Sequence, residues 1–245
     1  MDGSKSRKLV APFIGKYGTD MDECQDAADS FGSFNEFFYR RLKPTARPVE
    51  SDKSALSFPA DGRHLAISNL SQADRFYVKG QQFDLKTFLG SESLASEFEE
   101  GSLLISRLCP VDYHRFHSPV SGSIVEQRDI GGDLFSVSPI ALRRRLNYLW
   151  ENKRALSLID SSDVGKVAFV AIGATCVGRI HMIRATGDEL AKGDELGYFA
   201  FGGSCVATLF KKGVMAFSSD LIEYSHQSIE VYSKMGDALG RKASP

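Results

Sequence analysis

The sequence predicts an α+β fold, predominantly β: an antiparallel sandwich or partly closed barrel with a few peripheral helices. Three observations predict it. From Phe58 onward the chain is written in short apolar runs of strand length, separated by Gly, Pro, Asp and Asn. Helical patterning is confined to a few short stretches. No apolar run approaches the roughly 18 residues that would span a bilayer.

Taken in order, residues 1–30 are polar, with Gly15 and Gly18 interrupting any early helix. Ser33 to Leu42 reads as a helix with a capping box: Ser33 caps, Glu36 follows three residues later, and Phe34, Phe37, Phe38 and Leu42 form an apolar face. Pro44 and Pro48 stop it. Strands are expected at HLAISNL, FYVKG, SLLISRL, GSIVEQ, LFSVSP, KVAFVAIG, TCVGRIHMI, LGYFAFGG, CVATLF and GVMAF. Two helical interruptions are expected, Phe83–Leu89 and the longer Pro139–Ala155, whose Trp150 and Arg143–Arg145 run lie on opposite faces. The segment A-K-G-D-E-L-G-Y-F at 191–199 marks a tight hairpin, of a kind that lipoyl-like barrels also use. The polar tail from Tyr232 is expected to fray.

Composition bounds the function. A chain of 245 residues holds one substantial domain, alone or with a small N-terminal addition. A net charge of -1 argues against nucleic-acid binding, which calls for a basic excess. Cys24, Cys109, Cys176 and Cys205 lie far apart without a C-x-x-C pair, which fits reduced thiols in a cytoplasmic protein. The N-terminus lacks the apolar stretch and cleavage pattern of a secretory signal. Peripheral membrane contact stays open, because it needs an amphipathic face and not a span.

Three places carry candidate chemistry. In Gly202-Gly203-Ser204-Cys205, two glycines free the backbone for conformations closed to other residues, which a serine attacking its own preceding peptide bond would need. A plain β-turn explains the same residues. In Asp112-Tyr113-His114-Arg115-Phe116-His117-Ser118-Pro119, the two histidines could serve acid-base chemistry, a metal or nothing. Metal is the weaker choice, since no acidic or cysteine cluster supplies further ligands. Strand positions three apart face opposite sides, so one pocket could use both only with a bend or bulge. In Phe58-Pro59-Ala60-Asp61-Gly62-Arg63, Asp61 is either a turn residue or a carboxylate that orients a histidine. His64, His181 and His226 have no motif around them and read as structural or surface residues.

Together these pieces resemble the phosphatidylserine decarboxylase family. The matching stretches are FNEFFYRRLKPTARP (34–48), FPADGR (58–63), DYHRFHSPVSG (112–122), GATCVGRI (173–180) and KGDELGYFAFGGS (192–204). The resemblance implies a precursor that cuts itself between Gly203 and Ser204 into residues 1–203 and 204–245, with Ser204 becoming a covalent pyruvoyl cofactor. It implies that Asp61, His117 and Ser204 form the triad that drives the cut, and that His114 serves the later decarboxylation. The pyruvoyl ketone would form a Schiff base with the substrate amine and act as the electron sink. The implied partner is phosphatidylserine in an anionic membrane surface, met peripherally, with residues 1–48 as a helical segment facing it and 49–245 as the decarboxylase domain. The oligomeric state is left open, a homodimer being one arrangement.

Two alternatives share the fold: a pyruvoyl-dependent decarboxylase of a free amino acid, aromatic ones included, and a non-catalytic lipoyl-like binding module. The chain departs from the family pattern at Cys205, where threonine or another small residue is usual, and at Ser138, where asparagine is usual. A thiol at 205 could compete with the serine hydroxyl unless it points to the opposite face of the strand. The N-terminal membrane-binding region is also short.

Overall fold

A computed structural model describes residues 1–71, 83–175, 179–202 and 204–243. The expected strand FYVKG, Cys176 and Gly203, the expected cleavage residue, lie outside the described residues.

The chain begins with a 3-10 turn, Ser4–Leu9, that runs into α1, Val10–Tyr17. This helix forms in spite of Gly15; Gly18 ends it in the left-handed conformation, at φ 65°. Next, α2 spans Phe34–Phe38, capped by Ser33, whose Oγ accepts the Glu36 N–H at 3.2 Å. Glu36 reaches back to the Gly32 N–H at 2.6 Å, one residue beyond the expected box. The helix stops four residues short of Leu42, which instead bridges to Cys24. Its Phe34, Phe37 and Phe38 are buried with Val10 and Phe31 in a cluster of their own.

The rest alternates strands with short helices. In chain order they are β1 (Ala55–Ser57), β2 (Gly62–Ile67), α3 (Leu85–Leu89), α4 (Glu92–Phe98), β3 (Ser102–Leu108), β4 (Arg115–His117) and β5 (Gly122–Ile130). There follow α5 (Pro139–Arg144), α6 (Tyr148–Glu151), β6 (Arg154–Ser161), β7 (Gly165–Gly173), β8 (Ile180–Met182), β9 (Glu189–Leu190) and β10 (Glu195–Phe199). The chain closes with β11 (Ser204–Phe210), β12 (Met215–Phe217), α7 (Ser219–His226), β13 (Val231–Ser233) and β14 (Ala238–Lys242).

One eight-stranded sheet, in the order β13-β2-β3-β11-β7-β6-β5-β9, dominates, and it is open rather than closed into a barrel. Two three-stranded sheets, β1-β14-β12 and β4-β10-β8, complete an α+β, mostly β architecture in which the strands pair antiparallel. Alternation along the central strands sorts the core onto two faces. Leu103, Ile105, Ala168, Val170, Cys205 and Ala207 look one way, toward Phe88, Phe98, Leu142 and Trp150 of α3 to α6. Leu104, Val167, Phe169, Val206 and Phe210 look the other way, toward Phe116, Phe199, Leu221 and Leu239 of the small sheets and α7.

Three expectations need correction. The single helix over Pro139–Ala155 is two short ones, broken at Arg145, whose backbone is extended, and the chain is already in β6 by Arg154. Burial explains why no helix reaches Ala155: the Arg154 guanidinium donates to the carbonyls of Phe88, Thr87, Trp150 and Asn152, which a solvated helical position could not reach. LFSVSP is not a strand, because its backbone is satisfied by a side chain. The Asn152 amide accepts from the Phe135 N–H at 2.8 Å and donates to the Phe135 carbonyl at 2.9 Å. The tail does not fray either: β14 is the central strand of its sheet, pairing β1 on one side and β12 on the other.

Candidate active site

Ser204 opens β11 at the middle of the large sheet, opposite Leu108 of β3 and Gly173 of β7. It shares the parity of Val206 and Phe210, so its side chain projects toward the face covered by β4 and β10. The residue is fully buried, and its Oγ has no hydrogen-bond partner. Cys205 looks the other way, among Ala207 and Leu209, and burial pushes its thiol up to about 12. Strand alternation thereby puts the Cys205 thiol and the Ser204 hydroxyl on opposite faces of the sheet. Two residues before the serine, Gly202 holds φ at 140°, a conformation that residues with a Cβ rarely adopt.

His114 immediately precedes β4 and His117 is its last residue; β4 is a strand of three residues pinned against β10. The pairing slips between Glu195 and Gly197, so a bulge does occur here, on the partner strand. His114 precedes the strand and is fully buried, its ring 3.9 Å from that of Phe38 on α2. Its Nδ1 lies 2.9 Å from the Asp112 carbonyl, which can only accept, so Nδ1 carries the proton and Nε2 is bare. That Nε2 is buried and unpartnered. Burial lowers the pKa of this ring to about 3, so it is neutral at rest.

His117 faces a different environment. Its Nδ1 donates to the Gly193 carbonyl at 2.8 Å, which leaves Nε2 to accept from the Tyr113 hydroxyl at 3.2 Å. Burial lowers its pKa, while the Gly193 carbonyl and the charges of Glu195 and Asp61 pull it back upward.

Asp61, at the turn into β2, is buried and bound by Arg47 through both carboxylate oxygens, Nε to Oδ1 at 2.8 Å and Nη2 to Oδ2 at 2.6 Å. The Met235 N–H adds a third bond at 2.8 Å. Arg47 also holds Glu23 at 2.9 Å. Burial works against the charge of the guanidinium, but the hydrogen bonds it donates to Asp61 and Glu23 outweigh that and raise its pKa. Among the described residues no hydrogen bond joins Asp61 to His117 or either histidine to Ser204. The link between Asp61 and His117 is through the backbone, where the His117 N–H donates to the Pro59 carbonyl at 2.7 Å.

The chain was compared with known proteins. The family model for phosphatidylserine decarboxylase matches residues 34–241. A phosphatidylserine decarboxylase proenzyme of Chlamydia muridarum is 44% identical over 239 residues, 98% of this chain and 79% of that protein. One of Clostridium perfringens is 40% identical over 241 residues, 98% of this chain and 82% of the relative. Phosphatidylserine decarboxylase proenzyme 2 of Oryza sativa subsp. japonica is 44% identical over 246 residues, 98% of this chain but 39% of that longer protein. The chain belongs to the phosphatidylserine decarboxylase family.

Sequence reasoning missed several residues that surround the site, and three of them lie inside the family stretches. Arg47 is the penultimate residue of FNEFFYRRLKPTARP, Tyr113 sits between Asp112 and His114, and Gly193 follows Lys192 in the hairpin at 191–199. A signal was present in each: polar residues set within apolar, turn-bounded stretches become buried, and a buried polar group needs a partner. The unmotifed histidines read as structural. His64 is buried, with Ser106 Oγ at 2.9 Å, and His181 stacks on Tyr198 at 4.7 Å.

Proposed function

We propose that this chain is a self-cleaving, pyruvoyl-dependent phosphatidylserine decarboxylase that yields phosphatidylethanolamine and carbon dioxide at a membrane surface. The observation that carries the reading is Ser204: a fully buried hydroxyl without a partner, at the head of a central strand, two residues after Gly202 with φ at 140°. A hydroxyl serving only a turn would be hydrogen-bonded locally or exposed.

In this reading His117 gives up the Tyr113 hydroxyl and takes the proton of Ser204, and Asp61, held by Arg47, stabilises the resulting imidazolium. Ser204 Oγ attacks the Gly203 carbonyl; the C–N bond breaks, the nitrogen takes a proton and an ester forms. Loss of the Cα proton then breaks the Cβ–Oγ bond, releasing the Gly203 carboxylate and leaving a dehydroalanine. Its tautomer takes up water and loses ammonia, which produces the pyruvoyl group. That group, once formed, supplies an electron-withdrawing carbonyl for the substrate's amine. The site suits it, because the bare Nε2 of His114 and the Oγ of Ser204 are both buried polar atoms without protein partners. His114 Nε2 takes up a proton and delivers it to the substrate carbon that loses carbon dioxide.

The lipid substrate is supported by the surface near the serine. A cavity of about 210 Å³ is lined by Leu108 and Ala174, beside Ser204's strand partners, and by Ser136–Ser138. The adjoining stretch exposes Leu134, Phe135 and Ile140, the last at 71%, together with Arg144 and Arg145. Apolar side chains beside cations suit an anionic bilayer surface. Among the described residues no helix is long and apolar enough to cross a membrane. These relatives are all named as phosphatidylserine decarboxylases, so the free-amino-acid and non-catalytic alternatives are not favoured.

Denaturing intact-mass measurement tests the reading. The 26.9 kDa chain should give fragments 1–203 and 204–245. The smaller should be about 17 Da lighter than a serine-headed peptide, the mass of the lost ammonia. Ser204→Ala should remain one chain, and His114→Gln should cut yet release no carbon dioxide from phosphatidylserine vesicles. Cleavage of the Ser204→Ala chain at the same place would overturn the assignment of the nucleophile.

A further inference from the structure

The segment that carries the scissile carbonyl is held by a side chain far away in sequence. Strand β10 ends at Phe199 and β11 begins at Ser204, so the residues between them cross from a small sheet to the large one. On that crossing the Phe201 N–H donates to the Oδ1 of Asn35, on α2, at 2.7 Å. Because an N–H can only donate, the oxygen of the Asn35 amide must face Phe201. The amide nitrogen then donates to Asp2 Oδ1 at 2.5 Å. Asn35 is itself buried, so neither bond is traded freely with water.

The same helix grips the Phe201 ring, which packs edge-on against Phe34 at 5.2 Å and Phe38 at 5.1 Å. Phe38 in turn lies against the His114 ring at 3.9 Å. One short helix thus meets both the segment entering Ser204 and one of the site's histidines. We propose that Asn35 is a positioning residue for self-cleavage: its Oδ1 holds the Phe201 N–H, and with it the chain leading into the Gly203–Ser204 bond. The inference rests on the self-cleavage reading above. Attack on a carbonyl needs the reacting atoms near 3 Å and aligned, and a misplacement of about 1 Å can cost on the order of 100-fold in rate.

The test is a pulse of cell-free synthesis, following the appearance of fragment 204–245 with time. Asn35→Ala, which removes the acceptor, should slow cutting about 10- to 100-fold. The double variant Asn35→Asp with Asp2→Asn rebuilds both hydrogen bonds, with the Asp2 partner now donating, and should return the rate to within about threefold of wild type. Melting temperatures, read on a Ser204→Ala background where every chain stays whole, separate positioning from folding. A positioning role leaves the Asn35→Ala midpoint within a few degrees of its parent while the rate collapses. Two results overturn the inference: Asn35→Ala cutting at the wild-type rate, or slow cutting that tracks a lost midpoint and is not rescued by the double variant. A wild-type chain that never cuts overturns the self-cleavage reading itself, and this inference with it.

Discussion

Arg47 and Asp61 set the electrostatics of the site at the scale of single residues. Both are buried, and the guanidinium spans both carboxylate oxygens. Removing one partner strands the other: Arg47→Ala leaves Asp61 with only the Met235 N–H. The expected cost is about 3–5 kcal/mol, since an uncompensated buried charge is worse than the pair it replaces. Urea denaturation of the Ser204→Ala chain, with and without Arg47→Ala, measures it. Arg47→Lys should recover only part, because an ammonium cannot match two oxygens in a planar fork. A loss below about 1 kcal/mol would show that Asp61 finds another partner and that the clamp is dispensable. The two histidines were legible as a pair because of the motif around them. Their separate environments were not, since these depend on the Asp112 and Gly193 carbonyls and the Tyr113 hydroxyl, contacts that only the folded backbone creates.

Strand β10 does the most at the scale of elements, because it carries β4, and hence His117, on one edge and β8 on the other. Gly197 permits this. A Cβ there would lie 2.2 Å from the His181 carbonyl oxygen and 2.7 Å from the Phe116 ring. Gly197→Ala should therefore cost about 3 kcal/mol by overpacking and should slow self-cleavage by displacing β4. Gly15→Ala is the contrast, since its Cβ meets nothing within 4 Å and the site is helical; it should be neutral or slightly stabilising. Equal denaturation midpoints for the two variants would contradict the steric argument. At this scale the sequence was most informative where a continuous apolar run becomes a strand buried on both faces. SLLISRL was placed residue for residue, and KVAFVAIG and CVATLF to within one. It misled where a side chain substitutes for a strand partner, as Asn152 does for Phe135, and where the polar tail acquires neighbours on both sides. Periodicity sees neither, because both depend on partners distant in the chain.

Stability of the whole molecule is tied to pH by its buried imidazoles. Burial lowers the pKa of His64 and His114 to about 3 and lowers that of His117 as well. Between those depressed values and about 6.5 the unfolded chain binds protons that the folded chain refuses, so stability rises with pH across that window. It is complete above about pH 7 and falls as the pH drops, by on the order of 1 kcal/mol per pH unit for each histidine. Urea midpoints of the Ser204→Ala chain at pH 5 and pH 7 should differ accordingly, and His64→Gln should flatten the difference. Identical midpoints would mean that these rings protonate in place. The fold class was legible in advance because turn-bounded apolar runs fill most of the chain, whereas the opening of the large sheet is a property of its edge strands β13 and β9, each only two or three residues long. The position of β11 between β3 and β7 also has a consequence for timing. The ribosome delivers this central strand, and later the central strand of the sheet β1-β14-β12, after nearly all their neighbours have been made. Under the proposed mechanism, translation acts as the clock of maturation: a nascent chain holds Asp61, His114 and His117 early, but no Ser204 until its last sixth emerges.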